Sequence, residues 1–429
     1  MVKRISLLAL ALVLIISASA GAVEPQLISA DILTRGDYAA LLVETGGLEG
    51  EGKPIELLVE KGIMQGYPDG DMYLDQGITR VEAVVLAAKA LGLEGYIDAP
   101  VGAASPLGED HWGYNLYTWF VHLGLAEGDP GAVLTKEEGT AFLEKVFSSD
   151  AKALQLMDQA QAAQGEIDEG GIRSVMTGNL SMLPREGMED LEDLPPRIEM
   201  SITQELMLPD QLHQVTSMAM GMPELGLGEI TTETYLVDGK MYMGAPDLET
   251  GEVEWFHYPE TLLPDLEVLL EQAQQLEVLP EGLEEFMHYH LLGTTKLDGE
   301  EVYVISFYGL IDDYALFFDR ALGQLGGLGD LGESLAPLME LIKSVSYWGV
   351  QYLKVEDLML HGGDFNALVL CADEFMGEAV PLKAMVMSMA IEEYFHGAEV
   401  AFEVPEEVLA APELDFPEME EFPREEITE

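Results

Sequence analysis

The sequence has one cysteine, few basic residues and no apolar run long enough to span a membrane comfortably. A single cysteine, Cys371, excludes a framework of disulfide bonds within the chain. The sequence contains only 20 Lys and Arg but 79 Asp and Glu, so the formal net charge is −59. A field of that sign repels nucleic acid and anionic lipid, and we expect neither as a partner. We also expect no transmembrane segment in the mature chain.

Recognisable catalytic motifs are missing as well. The run from Gly327 to Gly332 matches G-x-G-x-x-G, but no βαβ pattern surrounds it, so dinucleotide binding is not expected. His288 and His290 would share one face of a strand and could hold a metal, yet a third ligand is not evident, and core or exposed histidines explain them more simply. No serine nucleophile elbow or zinc-protease helix occurs. The sequence therefore predicts a protein without enzymatic activity, metal or cofactor.

The N-terminus has the pattern of an export signal. Lys3 and Arg4 precede an apolar run over residues 5–16, and small residues follow. That order is typical of a secretory signal peptide, with Ala20 or Ala22 as the last residue removed. The run is too short to span a membrane comfortably. We expect a secreted bacterial protein that is soluble or is retained at the cell surface by binding.

Three segments of the N-terminal third begin in the same way. Each opens with a threonine, has an acid three positions later and continues with apolar residues at helical spacing. Threonine is a preferred helix N-cap, and the acid completes or approximates a capping box, so three capped helices are predicted. The predicted caps are Thr34, Thr79 and Thr135, and the acids are Asp37, Glu82 and Glu138.

The second of these units, residues 54–93, resembles an S-layer homology (SLH) repeat almost from end to end, through the run KGIMQGYPDGDMYLDQGITRVEAVVLAAKALGL. The unit at 96–149 is similar but looser, and the partial unit at 33–48 retains only its second helix. The resemblance implies an α-helical bundle with pseudo-threefold symmetry. It also implies that grooves of the bundle bind pyruvylated secondary cell wall polysaccharide.

Candidate ligands for that polysaccharide follow from the chemistry of helix starts and from the resemblance. A cation in the first helical turn holds an anion well, because free backbone N–H groups and the helix dipole assist it. By resemblance, the arginine after the cap and the tryptophan of the preceding helix line the sugar groove. Alternatively, the cations are plain helix-start residues, the tryptophan is core and the aspartate belongs to a solvated turn. The candidates are Arg35, Arg80, Lys136, Trp112 and Asp69.

The C-terminal half has the pattern of a sheet. Apolar and polar residues alternate from Ile198 onward, and Asp238-Gly239 and Asp298-Gly299 are signals of type I′ hairpins. Two stretches, Leu262–Val278 and Ser334–Val345, are predicted to be helices. These elements predict an α+β domain built on an antiparallel sheet.

The strands of this half also carry many methionines. Runs such as DGKMYM, DGEEVYVI and AEVAFEVPEEVL resemble a group of Gram-positive surface lipoproteins with the half-barrel fold of LolA and LppX-type lipoprotein carriers. The lipobox cysteine of that group is absent, and the repeats would replace it as the anchor. In carriers, sheet and helices enclose an apolar cavity for lipid, and methionine suits such a lining as well as an ordinary core. The candidate lining residues are Met218, Met220, Met241, Met243, Met385, Met387 and Met389.

The predicted fold is multidomain: an α-helical SLH-type bundle followed by an α+β antiparallel half-barrel. We divide the chain into a signal peptide (1–22), SLH-like repeats (23–150), a linker helix (151–171), the half-barrel-like domain (172–410) and an acidic disordered tail (411–429). The predicted function is anchoring to the wall polysaccharide and display of a domain that binds lipid or another apolar ligand. The alternative is a purely structural envelope or S-layer component without a ligand cavity.

Overall fold

The computed structural model describes most of the chain between residues 31 and 414. The signal peptide, the predicted helix Leu262–Val278 and the tail beyond residue 414 lie outside the described residues. The described residues are 31–165, 171–187, 197–207, 211–222, 227–246, 250, 252–258, 286–313, 316, 341–375, 378–397 and 400–414.

Helices make up the N-terminal part, and the three predicted caps are confirmed. The threonine side chains accept hydrogen bonds from the backbone N–H of Asp37 at 3.0 Å, Glu82 at 3.4 Å and Glu138 at 3.2 Å. Each bond satisfies one of the amide groups that a helix leaves free at its start. The helices are α1 (Arg35–Thr45), α2 (Pro54–Glu60), α3 (Arg80–Ala90), α4 (Tyr114–His122), α5 (Lys136–Val146) and α6 (Ala151–Gly165).

A closed ring of backbone hydrogen bonds joins the three capped segments. The N–H of Leu33 donates to Leu134 O at 2.9 Å, Leu134 donates to Ile78 O at 3.0 Å, and Ile78 donates to Leu33 O at 2.9 Å. Each of these residues immediately precedes a capping threonine and is buried, with an exposed fraction of 0–1%. The three helices α1, α3 and α5 therefore start around one point in cyclic order.

The C-terminal part consists mainly of strands. The strands in the described part are β1 (Gly171–Pro184), β2 (Arg197–Met207), β3 (Gln211–Met222), β4 (Leu227–Val237), β5 (Lys240–Pro246), β6 (Val253–His257), β7 (His288–Leu297), β8 (Glu300–Ile311), β9 (Ile342–Lys354), β10 (Leu360–Cys371), β11 (Glu374–Phe375), β12 (Glu378–Ala379) and β13 (Leu382–Gly397). Eleven of them form one open antiparallel sheet, in the order β6-β5-β4-β3-β2-β1-β13-β10-β9-β8-β7. Strands β11 and β12 pair separately.

Both predicted hairpins are confirmed. Asp238 and Gly239 have φ of 50° and 73°, and Asp298 and Gly299 have φ of 51° and 91°. A type I′ turn requires positive φ at both central positions, because its twist then matches that of the flanking strands. The turns connect β4 to β5 and β7 to β8.

One helix prediction is wrong over the residues that the structure describes. The helix predicted for Ser334–Val345 is a strand from Ile342 onward, because β9 pairs there with β10 and reaches β8 at Val345. The described part of the chain ends at residue 414, so most of the tail predicted for 411–429 lies outside it. Helix α7 (Glu406–Leu409) buries Val408 completely, and Leu414 N–H donates to His257 O at 2.8 Å. A high acid content did not prevent burial of the few apolar side chains between the acids.

The helical bundle packs directly on one face of the sheet. Tyr308 Oη donates to Val146 O at 2.8 Å, Ser306 Oγ donates to Leu123 O at 2.9 Å, and the rings of Trp119 and Trp348 meet edge to face at 5.6 Å. We call this side of the sheet the bundle face. One hydrophobic core is continuous from the bundle into the sheet. The repeats and the sheet are therefore packed against each other and are not two independent bodies.

Candidate functional site

A groove between the repeats contains two of the five candidate wall-polymer residues. It has a volume of about 870 Å³ and is lined by Arg35 and Trp112, together with Tyr67, Glu82 and Lys89. Trp112 is 65% exposed and lies 5.4 Å from the ring of His111, so the alternative of a core tryptophan is wrong. Arg80, Lys136 and Asp69 do not line this groove.

The three cations that follow the caps form a cyclic set of ion pairs. Arg35 pairs with Glu82 at 2.6 Å, Arg80 with Glu138 at 3.4 Å, and Lys136 with Asp37 at 3.4 Å. Each cation thus contacts the acid that belongs to the cap of the next segment in the ring. The sequence indicates both sets of residues but not their pairing, because the pairing depends on how the three segments meet.

Arg35 is held almost entirely by contacts within the protein. Its side chain is 7% exposed, and its guanidinium donates to Met72 O at 3.0 Å and to Tyr67 Oη at 3.2 Å besides Glu82. Burial and the hydrogen bond to Glu82 raise the pKa of Tyr67 to about 12. Burial acts to raise the pKa of Glu82, but hydrogen bonds from Tyr67 and Thr79 and the charge of Arg35 outweigh it and lower the pKa overall. The side chains of Arg80, 22% exposed, and Lys136, 56% exposed, are more accessible.

Asp69 lies in a turn outside the groove. Its carboxylate accepts hydrogen bonds from Tyr73 Oη and from the backbone N–H of Asp71. These two bonds lower the pKa of Asp69. The carboxylate therefore organises its own turn.

The seven candidate methionines all lie on the face of the sheet opposite to the bundle. Directly paired residues share a face and side chains alternate along each strand, so the register shows on which face of the sheet each methionine lies. Met218 pairs with Met200, Met200 with Gly178 and Gly178 with Met389. All seven are half-buried. The remaining five methionines lie on the same face, either because their strand pairing places them there or because they are two or four residues from Met218 or Met389 on the same strand. They are Met220, Met241, Met243, Met385 and Met387. We call this side the methionine face.

A glycine allows one of these methionines to lie across the neighbouring strand. A Cβ at Gly178 would come within 2.5 Å of Met389 Sδ and 2.1 Å of Ser388 O. The thioether of Met389 occupies the space that a side chain at position 178 would fill on this face. Phe365, which pairs with Met389 on the other side, is 37% exposed. The methionine face therefore remains apolar, uneven and partly accessible along this row.

His288 and His290 share the bundle face of β7, as predicted. His290 Nε2 lies 2.9 Å from Tyr308 Oη, and His288 Nδ1 is buried without a partner among the described residues. Burial, with a smaller contribution from His290, lowers the pKa of His288 to about 4. Burial also lowers the pKa of His290. No group of three or more metal-ligating side chains occurs in the part of the chain that the structure describes.

No protein-family model and no curated protein sequence matches the chain. Several solved structures are similar to about 60% of the chain. LprF from Mycobacterium bovis is 15% identical with a TM-score of 0.29, and 60% of this chain and 99% of that one are covered. Lipoprotein LppX from Mycobacterium tuberculosis is 11% identical with a TM-score of 0.28, and the coverage is 60% and 100%.

A third similar structure is a putative outer membrane lipoprotein-sorting protein domain from Vibrio parahaemolyticus. It is 11% identical with a TM-score of 0.18, and 59% of this chain and 94% of that chain are covered. Among the described residues, no helix is both long enough and apolar enough to cross a membrane.

Proposed function

We propose that the chain is a non-catalytic bacterial surface protein whose methionine face binds lipid or another amphiphilic ligand and whose repeats bind secondary cell wall polysaccharide. The observation that carries the first part is the placement of all seven candidate methionines on one half-buried face. Methionine adapts its shape to flexible acyl chains and is polarisable.

The packing of the bundle face strengthens the proposal that the methionine face binds a ligand. An antiparallel sheet needs apolar residues on only one side when the other side is solvated. On β13, Ala384 is fully buried towards the bundle, yet Met385, Met387 and Met389 are apolar on the reverse side. Among the described residues, helix α6 covers the methionine face near Tyr289 and Leu353. An apolar ligand such as a lipid would cover further apolar surface of this face.

Replacing Met387 and Met389 together with glutamine should weaken binding of a hydrophobic fluorescent dye about tenfold, because polar amides would replace two apolar contacts of similar shape. Dye titration of the full chain, with displacement by oleate, measures the effect. Met72→Gln in the repeats is the matched control and should leave binding unchanged. Native mass spectrometry of protein purified without detergent should also show bound lipid. Absence of both lipid and dye binding would favour the purely structural envelope component.

The groove between the repeats supports the second part of the proposal. An exposed tryptophan beside hydrogen-bonding side chains suits a sugar ring, and Trp112 has this setting next to Tyr67 and Lys89. Arg80 and Lys136 lie outside the groove but retain exposed surface that an acidic polymer can reach. A local cation is needed because the chain as a whole carries a net charge of −59.

Trp112→Ala should reduce retention of the full chain on wall sacculi about tenfold, since the exposed indole would be lost from the groove. Sedimentation with sacculi measures retention before and after the secondary polymer is stripped. Val59→Ala, at another exposed apolar position of the repeats that does not line the groove, is the control. Arg80→Ala should weaken retention more than Lys136→Ala, because its planar guanidinium matches a carboxylate. Equal binding to intact and stripped sacculi would contradict the proposal.

A further inference from the structure

A second cavity lies between the bundle and the sheet, away from both sites described above. Its volume is about 580 Å³, and residues 96–101 and Trp119 of the bundle form one wall. A neighbouring cavity of about 440 Å³ extends it across β1, β2 and β3. The two share Thr177, Asn179 and Arg197 in their linings. We call the combined space the trough.

The floor of the trough includes several hydroxyl and amide side chains on the bundle face. Asn179 pairs with Ser388 on β13, and Ser388 pairs with Asn366 on β10, so these three form a row across neighbouring strands. On the other side, Ser201 and Ser217 pair with each other on β2 and β3. The same strands that carry methionine on one face thus carry hydrogen-bonding groups on the other.

Asn366 contributes an amide group to this floor. Its amide nitrogen donates to Trp348 O at 3.4 Å and to Asp364 Oδ1 at 2.9 Å. Its side chain lines the cavity. An amide oxygen accepts hydrogen bonds, so this group can receive one from a hydroxyl in the cavity.

The charged groups of the trough are of two kinds. The carboxylate of Asp364 is already engaged, by Asn366 on one oxygen and by His122 at 3.5 Å on the other. Arg197, in contrast, is exposed, lines both cavities and has no hydrogen-bond or ion-pair partner among the described residues. Its guanidinium offers five donors towards the space that the two cavities share.

We infer that the trough binds an uncharged oligosaccharide. Sugar hydroxyls both donate and accept, as do the amides and hydroxyls of the floor, while the C–H faces of the rings match the apolar wall at Pro100 and Val101. Glu199 and Glu229 border the outer cavity and disfavour an anionic chain. Arg197 serves as a hydrogen-bond donor to sugar oxygens. This site is separate from the groove at Trp112 and does not depend on the proposed wall anchoring.

Calorimetric titration of the full chain with cellotriose, maltotriose, chitotriose and the anionic trigalacturonate tests the inference. At least one neutral trisaccharide should bind, and Asn179→Ala and Arg197→Ala should each weaken its binding about tenfold. Arg173→Ala, an exposed arginine at the distant end of β1, should not. Trp112→Ala should also leave this binding unchanged, which separates it from wall anchoring.

Three results would overturn the inference. The first is no binding of any neutral trisaccharide. The second is tighter binding of trigalacturonate than of every neutral probe. The third is binding that Asn179→Ala and Arg197→Ala leave intact, since the sugar would then lie elsewhere on the protein. Circular dichroism of each variant verifies that the fold is retained, and these surface positions on the sheet do not contribute to its core.

Discussion

Arg35→Met should lower the free energy of unfolding by about 2–3 kcal/mol, as measured by urea denaturation of the full chain. The substitution removes the charge that Glu82 contacts at 2.6 Å and leaves that carboxylate, which is 14% exposed, without its cation. Tyr67 and the backbone carbonyl of Met72 also lose a donor. Burial makes each of these losses costly, because water does not readily replace the missing partner.

The other two positions of the ring supply matched controls. Arg80→Met and Lys136→Met remove equivalent cations whose acids, Glu138 and Asp37, are 47% and 51% exposed. Exposed ion pairs contribute about 0–1 kcal/mol, so each control should change stability by less than about 1 kcal/mol. Equal losses at all three positions would show that the ring is stabilised as a symmetric unit. An unchanged stability for Arg35→Met would contradict the assignment of Arg35 to the interior of the bundle.

The free energy of unfolding should fall by about 3 kcal/mol as the pH drops from about 6.5 to about 4, because His288 is protonated more readily in the unfolded chain than in the folded protein. Burial lowers the pKa of this histidine from 6.5 to about 4 in the folded protein. Within that window the unfolded chain takes up a proton that the folded chain does not, so unfolding becomes more favourable. Above pH 6.5 both states are neutral and the full stability is present.

The variant His288→Phe isolates this contribution from the titration of the many carboxylates. Phenylalanine keeps a ring near Phe147 and Tyr308, whose ring centroids lie 6.5 Å and 5.4 Å from that of His288. Urea denaturation between pH 4 and pH 7.5 should show a smaller loss of stability at low pH than in the unaltered protein. Tyr289→Phe, on the opposite face of β7, should retain the loss. Identical pH profiles for His288→Phe and the unaltered protein would contradict a buried neutral histidine.

Local patterns were sufficient for the helix caps, the two hairpins and the alternation of the strands. Each of these depends on a few neighbouring residues. A threonine with an acid three positions later caps a helix wherever the helix lies, and Asp-Gly adopts positive φ wherever two strands need a tight turn. The common face of the methionines could also be anticipated within each strand, because side chains alternate with a period of two.

The contacts of the candidate ligands could not be predicted in this way. Arg35, Arg80 and Lys136 occupy the same position in the repeat, yet Arg35 is buried against Tyr67 and Glu82 while Lys136 is largely exposed. The difference arises from the segments that surround each helix start. Asp69, another candidate ligand, accepts a hydrogen bond from Tyr73 and lies outside the groove.

The sequence by itself determined the elements of this protein and the side of each strand that is apolar. Only the tertiary structure decided that the repeats pack on the bundle face and leave the methionine face on the other side. It also decided that Asn366, Asn179 and Arg197 meet at one trough. Strand order brings β10, β13, β1 and β2 together from distant parts of the chain. Such contacts depend on long-range pairing, which a period of two or of 3.6 residues does not encode.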